Sequence, residues 1–223
     1  VMLSDVMEDY LKTIYMLQRE HGPPVRTSTV ADALDVTSPT VTSMLEKLED
    51  RGFVTREKYK GVELTEDGDA VALEVLRHHR LLEAYLAEHL DYEWSEVHDE
   101  ADALEHHISE EFERRVADAL GDPRVDPHGD PIPSADLTLT EDDTVSLAGS
   151  EPGDEVVVAR VSDRDDEELR YLSEVGVEPG TTLTVSDTTP IGTLVLDIEG
   201  ETVTLPESVA ATIRVRPAAE TQP

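Results

Sequence analysis

Imidazoles and carboxylates in the middle of this chain recur at helical spacing. His79 and Glu83 are one turn apart, and His98, Asp102, Glu105 and His106 form a second stripe a few residues further on. Imidazole and carboxylate converging at i, i+3 and i+4 is how helical bundles hold a metal ion. In so acidic a chain any isolated Glu/His pair reads as a solvated face, but two compatible pairs on adjacent helices read as a site. His78 and His107 fall off the stripe and are expected on the helix surface or behind the ligands. Cysteine is absent, which excludes thiolate zinc sites, disulfide scaffolds and Cys nucleophiles.

The elements that must carry these residues divide the chain into parts, with an α+β multi-domain architecture expected. In residues 1–64, Val6, Tyr10, Ile14 and Leu17 mark a helix ended by Gly22-Pro23-Pro24. A short helix is expected over 28–34. A third is expected over 38–51, with Ser38 as N-cap, Pro39 at the first helical position, and Val41, Leu45 and Leu48 turned inward. Alternation in 53–56 and 62–64 around Lys58-Tyr59-Lys60-Gly61 predicts a two-stranded wing. Together these form a winged helix-turn-helix. Thr40, Ser43 and Lys47 lie opposite the apolar stripe of the third helix, where short hydroxyls and one cation suit base edges and phosphates. Thr27, Ser38, Pro39, Lys58 and Lys60 complete the expected DNA-contacting set. The plainer alternative is a three-helix core whose polar face meets only solvent.

Residues 65–140 read as a helical dimerisation and metal-binding domain. Thr65 is the expected N-cap of a long helix striped by Val71, Val75, Leu82 and Leu86, and further helices are expected over 95–107 and 110–120. Leu76, Leu81, Tyr85, Leu90 and Trp94 lie beyond one stripe and suggest a two-fold dimer seam. The Pro-, Asp- and Gly-rich stretch over 121–154 looks like connecting chain, with 141–154 as the linker proper. Over 155–217, short β-rich runs (156–161, 182–186, 193–198, 202–205, 212–215) and a lone helix over 166–174 predict a small barrel. Residues 218–223 read as a disordered tail.

Charge sharpens the division. The protein has 223 residues and a formal charge of −33, yet residues 1–64 hold 8 Lys plus Arg against 11 Asp plus Glu, while the remainder holds 10 against 40. All four lysines, Lys12, Lys47, Lys58 and Lys60, fall in the first part, as a face meant for a polyanion requires. Elsewhere the acidic surface reads as adaptation to a salt-rich cytoplasm, where charge repulsion is screened. No apolar run reaches the roughly 18 residues of a membrane span and no secretory leader is visible, so a cytoplasmic protein is expected.

The chain resembles the metal-dependent repressors that comprise the diphtheria toxin repressor and the manganese transport regulator, over nearly its whole length. The segments that carry the resemblance are Met7-Glu8-Asp9-Tyr10-Leu11-Lys12-Thr13-Ile14-Tyr15, Ser38-Pro39-Thr40-Val41, His78-His79-Arg80-Leu81-Leu82-Glu83, Val97-His98-Asp99-Glu100-Ala101, Leu104-Glu105-His106-His107 and Pro127-His128-Gly129-Asp130-Pro131-Ile132-Pro133. The tail resembles the SH3-like (FeoA-like) domain of the iron-responsive branch. The resemblance implies a primary metal site at Asp9, Asp102, Glu105 and His106. It also implies an ancillary site at His79, Glu83 and His98, with Asp165 and Glu168 reaching across from the SH3-like domain. Asp9 and Asp102 stand where the diphtheria-type branch has Met and Cys. Lys12 stands where the manganese branch has another acid, a departure from that branch's two-metal cluster. Asp163, Asp165, Asp166, Glu167 and Glu168 also read as acidic surface.

Three carboxylates and one imidazole make a hard site suited to Fe²⁺ or Mn²⁺, with Co²⁺, Ni²⁺ or Zn²⁺ as surrogates. The expected function is a metal-dependent transcriptional repressor, a homodimer on a palindromic double-stranded DNA operator that controls metal homeostasis genes. No membrane, no small organic ligand and no catalytic residue is called for. The alternatives are a winged-helix regulator not gated by metal, a metallohydrolase and a metal-storage protein. The hydrolase lacks an HExxH, a nucleophile elbow and a phosphate loop, and leaves the wing unexplained.

Overall fold

The computed structural model describes residues 3–57, 60–140, 143–163, 165–190 and 192–218. The N-terminal part is α1 (Asp5–His21), α2 (Thr27–Ala33), α3 (Ser38–Asp50) and the antiparallel hairpin β1 (Val54–Glu57) and β2 (Gly61–Leu64). Tyr10, Leu11, Ile14, Leu17, Val30, Val41, Leu45, Leu48, Val54 and Val62 close one core, so the helical and strand periodicities meet on a common inside. The cap of α3 lies one residue earlier than expected: Thr37 is the N-cap and its hydroxyl accepts from Thr40 N, leaving Ser38 as the first helical residue ahead of Pro39. The wing's base is locked by Gly61, where a Cβ would fall 2.1 Å from the Val25 carbonyl oxygen at a φ of +146°. Lys58 lies outside the described residues.

Thr65 caps α4 (Glu66–Leu90), accepting from Gly68 N. This long helix packs on α1, on α5 (Val97–Leu104) and on α6 (Glu110–Ala119). The seam foreseen beside its main stripe is largely used within the chain. Leu81 packs with Val116, Ala117 and Ile132, and Trp94 packs against the C-terminal core. Leu90, Tyr92 and Phe112 stay exposed. No helix among the described residues is long and apolar enough to cross a membrane.

The C-terminal unit is a six-stranded antiparallel sheet in the order β3-β8-β4-β5-β6-β7. Its strands are β3 (Val145–Ser146), β4 (Glu155–Val161), β5 (Thr182–Thr188), β6 (Thr193–Ile198), β7 (Glu201–Pro206) and β8 (Ile213–Pro217). Register shifts between Val158 and Arg160 and between Val185 and Asp187 bend β4 and β5. α7 (Asp166–Glu174) adds Leu169 and Leu172, and α8 (Glu207–Ala210) adds Ala210, to the enclosed core.

One linker and one tail boundary are corrected. β3 and the fully buried Leu147 belong to this unit, so it begins before residue 155. At the other end Ala218 N still donates to Glu155 O, so the chain keeps its pairing one residue past the expected domain end. The rest of the expected tail, 219–223, lies outside the described residues.

The stretch over 126–133 is also no free connector. Asp126, His128 and Asp130 are buried, and the His128 carbonyl accepts from Val161 N of β4 at 2.9 Å. Gly129 makes that approach attainable, because its φ is +87° and a Cβ there would lie 2.0 Å from the Ala159 carbonyl oxygen. Pro-rich composition mimicked a linker, while the polar side chains turned inward toward the metal-ligand groups of α4.

Candidate metal centre and DNA-reading face

Two consecutive turns of α4 supply His79 and Glu83. α5 and the turn after it supply His98, Asp102, Glu105 and His106, and α1 supplies Glu8, Asp9 and Lys12. At the junction of α1 with the helical domain, Asp9, Glu105 and His106 place ligand atoms within 4.8 Å of one another. His106 Nε2 lies 2.8 Å from Asp9 Oδ1 and 3.3 Å from Glu105 Oε1. Its Nδ1 lies 2.7 Å from Glu8 Oε2. Glu8 escaped the spacing argument because it sits beside Asp9 on a different helix from His106.

Asp102 turns from this triplet to a neighbouring group with His79 and Glu105. His79 Nδ1 is 2.6 Å from Glu105 Oε2 and 3.2 Å from Asp102 Oδ1. Lys12 Nζ donates to Asp102 and to both oxygens of Glu105. Behind them His78 Nδ1 lies 3.1 Å from the Glu105 carbonyl and Nε2 lies 3.4 Å from Glu113, which fits its reading as a support; His107 is exposed.

His79 continues the array inward, since its Nε2 lies 3.0 Å from Glu83 Oε1. His98 Nδ1 is 3.3 Å from Glu83 Oε1 and 3.3 Å from Asp163 Oδ2, closing a group of His79, Glu83, His98 and Asp163. Asp163 is thus the C-terminal unit's contribution, in place of Asp165 and Glu168. Asp165 caps α7, accepting from Glu167 N and Glu168 N, and Glu168 accepts from the Thr212 hydroxyl at 2.5 Å. The resemblance implied that both reach across, but the start of α7 makes Asp165 a cap and turns Glu168 to Thr212, just ahead of β8. Nothing in the acidic run over 163–168 singled out Asp163.

A further group, Glu83, Asp126 and His128, is entirely buried. His128 Nε2 lies 2.7 Å from the Trp94 carbonyl and must donate to it. Its Nδ1 lies 3.8 Å from Glu83 Oε1. That nitrogen and Glu83 Oε2 have no hydrogen-bond partner, a costly arrangement in a dry interior unless something else engages them. Asp126 Oδ1 accepts from His128 N and Asp130 N. Asp130 pairs with Arg80 and with Arg160 of β4, each at 3.1 Å. An unpartnered imidazole nitrogen and carboxylate oxygen are of the donor types that a divalent transition metal takes.

The electrostatics fit proton-held, ligand-ready groups. Burial alone would depress the His79 imidazolium, but the charge of Glu83 and the bonds to Asp102, Glu105 and Glu83 hold its pKa well above normal. Burial would raise Glu83, yet the His79 charge and the histidine bonds hold it below the usual carboxylate range. Bonds to Asp163 and Glu83 push His98 up to about 10. Asp126 is driven well above the ordinary range by burial and by the nearby Glu83 and Asp130 charges. Burial also raises Asp9, against the pull of His106.

On the other side of the N-terminal unit, Ser38, Pro39, Thr40, Ser43, Lys47 and Lys60 are exposed and Thr27 is half-buried. A cavity of about 540 Å³ opens between α2, α3 and the wing, lined among others by Thr27, Thr42, Arg56 and Lys60. Lys60 is paired with Glu57 at 2.6 Å.

A winged helix-turn-helix joined to carboxylate–imidazole groups on a helical domain defines the class of metal-responsive transcriptional regulators. Residues 2–62 match the iron dependent repressor N-terminal DNA binding domain. Residues 65–134 match the iron dependent repressor metal binding and dimerisation domain, and 145–217 the FeoA domain. The chain is 35% identical to the iron-dependent repressor IdeR of Mycobacterium tuberculosis, covering 96% of this chain and 97% of that one. It is 34% identical to the diphtheria toxin repressor of Corynebacterium efficiens over 96% of each. A solved manganese-dependent transcriptional repressor complex with manganese is similar at a TM-score of 0.88 and 36% identity, covering 95% of this chain and all of that one. ScaR with bound Zn²⁺ is similar at 0.81 and 30%, covering 95% and 99%. The chain belongs to the family of iron-dependent repressors, which are metal-dependent transcriptional regulators and not enzymes.

Proposed function

We propose that this protein is a cytoplasmic repressor that binds palindromic operators as a homodimer when loaded with Fe²⁺ or Mn²⁺, and so controls metal homeostasis genes. The primary ligands are Asp9, Glu105 and His106; Asp102, expected beside them, is instead held by Lys12 in the adjoining group with His79. The ancillary ligands are His79, Glu83 and His98, with Asp163, Asp126 and His128 in place of Asp165 and Glu168. The carrying observation is that His106, from the helical domain, meets Asp9 and Glu8 of α1 at 2.8 and 2.7 Å. Two domains therefore share one cluster of acids. A bound divalent cation supplies the positive charge that makes close approach of Asp9 and Glu105 favourable, while Lys12 compensates Asp102.

α1 is packed on the helical bundle, so fixing Asp9 fixes the direction of α3. In a dimer this sets the distance between two recognition helices, which must match successive major grooves. Thr40, Ser43 and Lys47 face the bases and phosphates, and Lys60 with Lys58 extends the contact through the wing. Exposed Leu90, Tyr92 and Phe112 offer apolar surface for the dimer seam. Metal favours the DNA-competent state, and DNA reciprocally tightens metal binding. The test is operator binding by wild type and by Asp9→Ala with and without Mn²⁺. Metal-dependent binding in the first and its loss in the second, with the dimer intact, are expected; an unchanged metal response in Asp9→Ala would overturn the reading.

A further inference from the structure

The α1 junction contains two adjacent cation positions, and the chain itself fills one of them. Asp9–Glu105–His106 and His79–Asp102–Glu105 are separate groups with Glu105 in common. Glu105 turns a different oxygen to each. Oε1 is 3.3 Å from His106 Nε2, and Oε2 is 2.6 Å from His79 Nδ1. This is the disposition of a carboxylate that bridges two cations. At the second position lies the Lys12 ammonium, 3.0 Å from Asp102 Oδ1 and 2.7 and 2.9 Å from the two oxygens of Glu105. The Lys12 side chain is 17% exposed and that of Glu105 0%, so this is an enclosed pairing in which exchange for water is costly. A compact ammonium with three donors matches the place a hydrated ion would otherwise take.

We propose that Lys12 is a specificity-determining residue. Its ammonium occupies the second cation position bridged by Glu105, and so limits the α1 junction to one divalent ion, held at Asp9–Glu105–His106. This rests on the reading of the junction as a metal site. Without the ammonium, Asp102 and Glu105 lose the cation they share, and with His79 the position becomes a ligand set of two carboxylates and an imidazole. An ordinary structural salt bridge makes a different prediction: its removal alters stability and leaves the number of bound ions as it was.

The experiment counts Mn²⁺ per protomer on the full-length dimer, by equilibrium dialysis with elemental analysis and by electron paramagnetic resonance. Lys12→Gln and Lys12→Met should each bind one more Mn²⁺ than wild type and gain the exchange-broadened signal of a manganese pair. Lys12→Arg should keep the wild-type count. Folded dimers of both neutral variants with the wild-type count would overturn the inference. So would a coupled manganese pair already present in wild type that His106→Ala abolishes, a result that needs no Lys12 variant. His106→Ala in wild type separates the two levels. If it loses no ion, the junction site itself is wrong; if it loses one while the neutral Lys12 variants gain none, only the role of Lys12 falls.

Discussion

The two ends of the ligand array are built differently. At the α1 junction Asp102 is half exposed, Asp9 is 40% exposed at its side chain, and a lysine of the same chain supplies positive charge. Around Glu83 the side chains of Glu83 and His128 are fully buried, and two ligand atoms are left unpartnered. A cluster at a domain junction with two solvent-facing carboxylates gives an ion at Asp9 a route to solvent and suits a switch. The buried cluster, with its unpartnered nitrogen and oxygen, lies where the loop over 126–133 meets β4, and an ion bound there would be retained. The lesson is that one continuous run of hydrogen-bonded ligands can serve regulation at one end and domain cohesion at the other.

The sharpest way to break this contrast is at Glu83. Glu83→Ala removes the partner of His79 and His98 in a dry interior, and should cost about 3–5 kcal/mol of stability, as breaking a buried ion pair does. It should also abolish Mn²⁺-induced changes in the fluorescence of Trp94, the only tryptophan, whose ring lies 5.2 Å from that of His128. Urea unfolding with and without Mn²⁺ reads both; a variant that unfolds like wild type would place the retained ion elsewhere. At the other end, Asp9→Ala should leave apo stability nearly unchanged and remove about 5–150-fold of metal-dependent operator affinity, the range of an ordinary allosteric coupling. Fluorescence anisotropy on operator DNA measures it, and a large stability loss would erase the distinction.

pH separates the ends further. His98 is held up to about 10, so its ligation requires a proton to leave. Mn²⁺ affinity of the buried groups should therefore climb by up to about tenfold per pH unit between about pH 7 and 9. In the metal-free protein the sign is opposite. The stability from protonated His98 is complete below its unfolded value of 6.5 and is lost as pH rises toward about 10. Calorimetric titrations and thermal melts over that window test the pair, and a flat affinity profile would remove His98 from the ligands. The smallest effect belongs to the residue first expected to reach across. Asp165→Ala should leave metal content unchanged and cost about 1 kcal/mol, the worth of an N-cap, as read by elemental analysis and melting.

The amino-acid sequence by itself determined the local elements and their chemistry. The helical recurrence of Tyr10, Ile14 and Leu17, the cap at Thr65 and the alternation around the wing depend on near neighbours, so they were legible; Val6, expected in the same stripe, is exposed and Met7 is buried instead. His79 with Glu83, and His98 with Asp102, were legible for the same reason, since one helical turn fixes their common face. What only the tertiary structure decided is which separate faces meet. Glu8 and Lys12 join the cluster because α1 packs across α4. Asp163 and not Asp165 completes the inner group because α7 begins directly after Asp165 and takes it as its N-cap, and Asp126 and His128 turn inward because Gly129 lets a proline-rich loop press on β4. Contacts between residues far apart in the chain depend on how cores close, and no spacing along the chain encodes that.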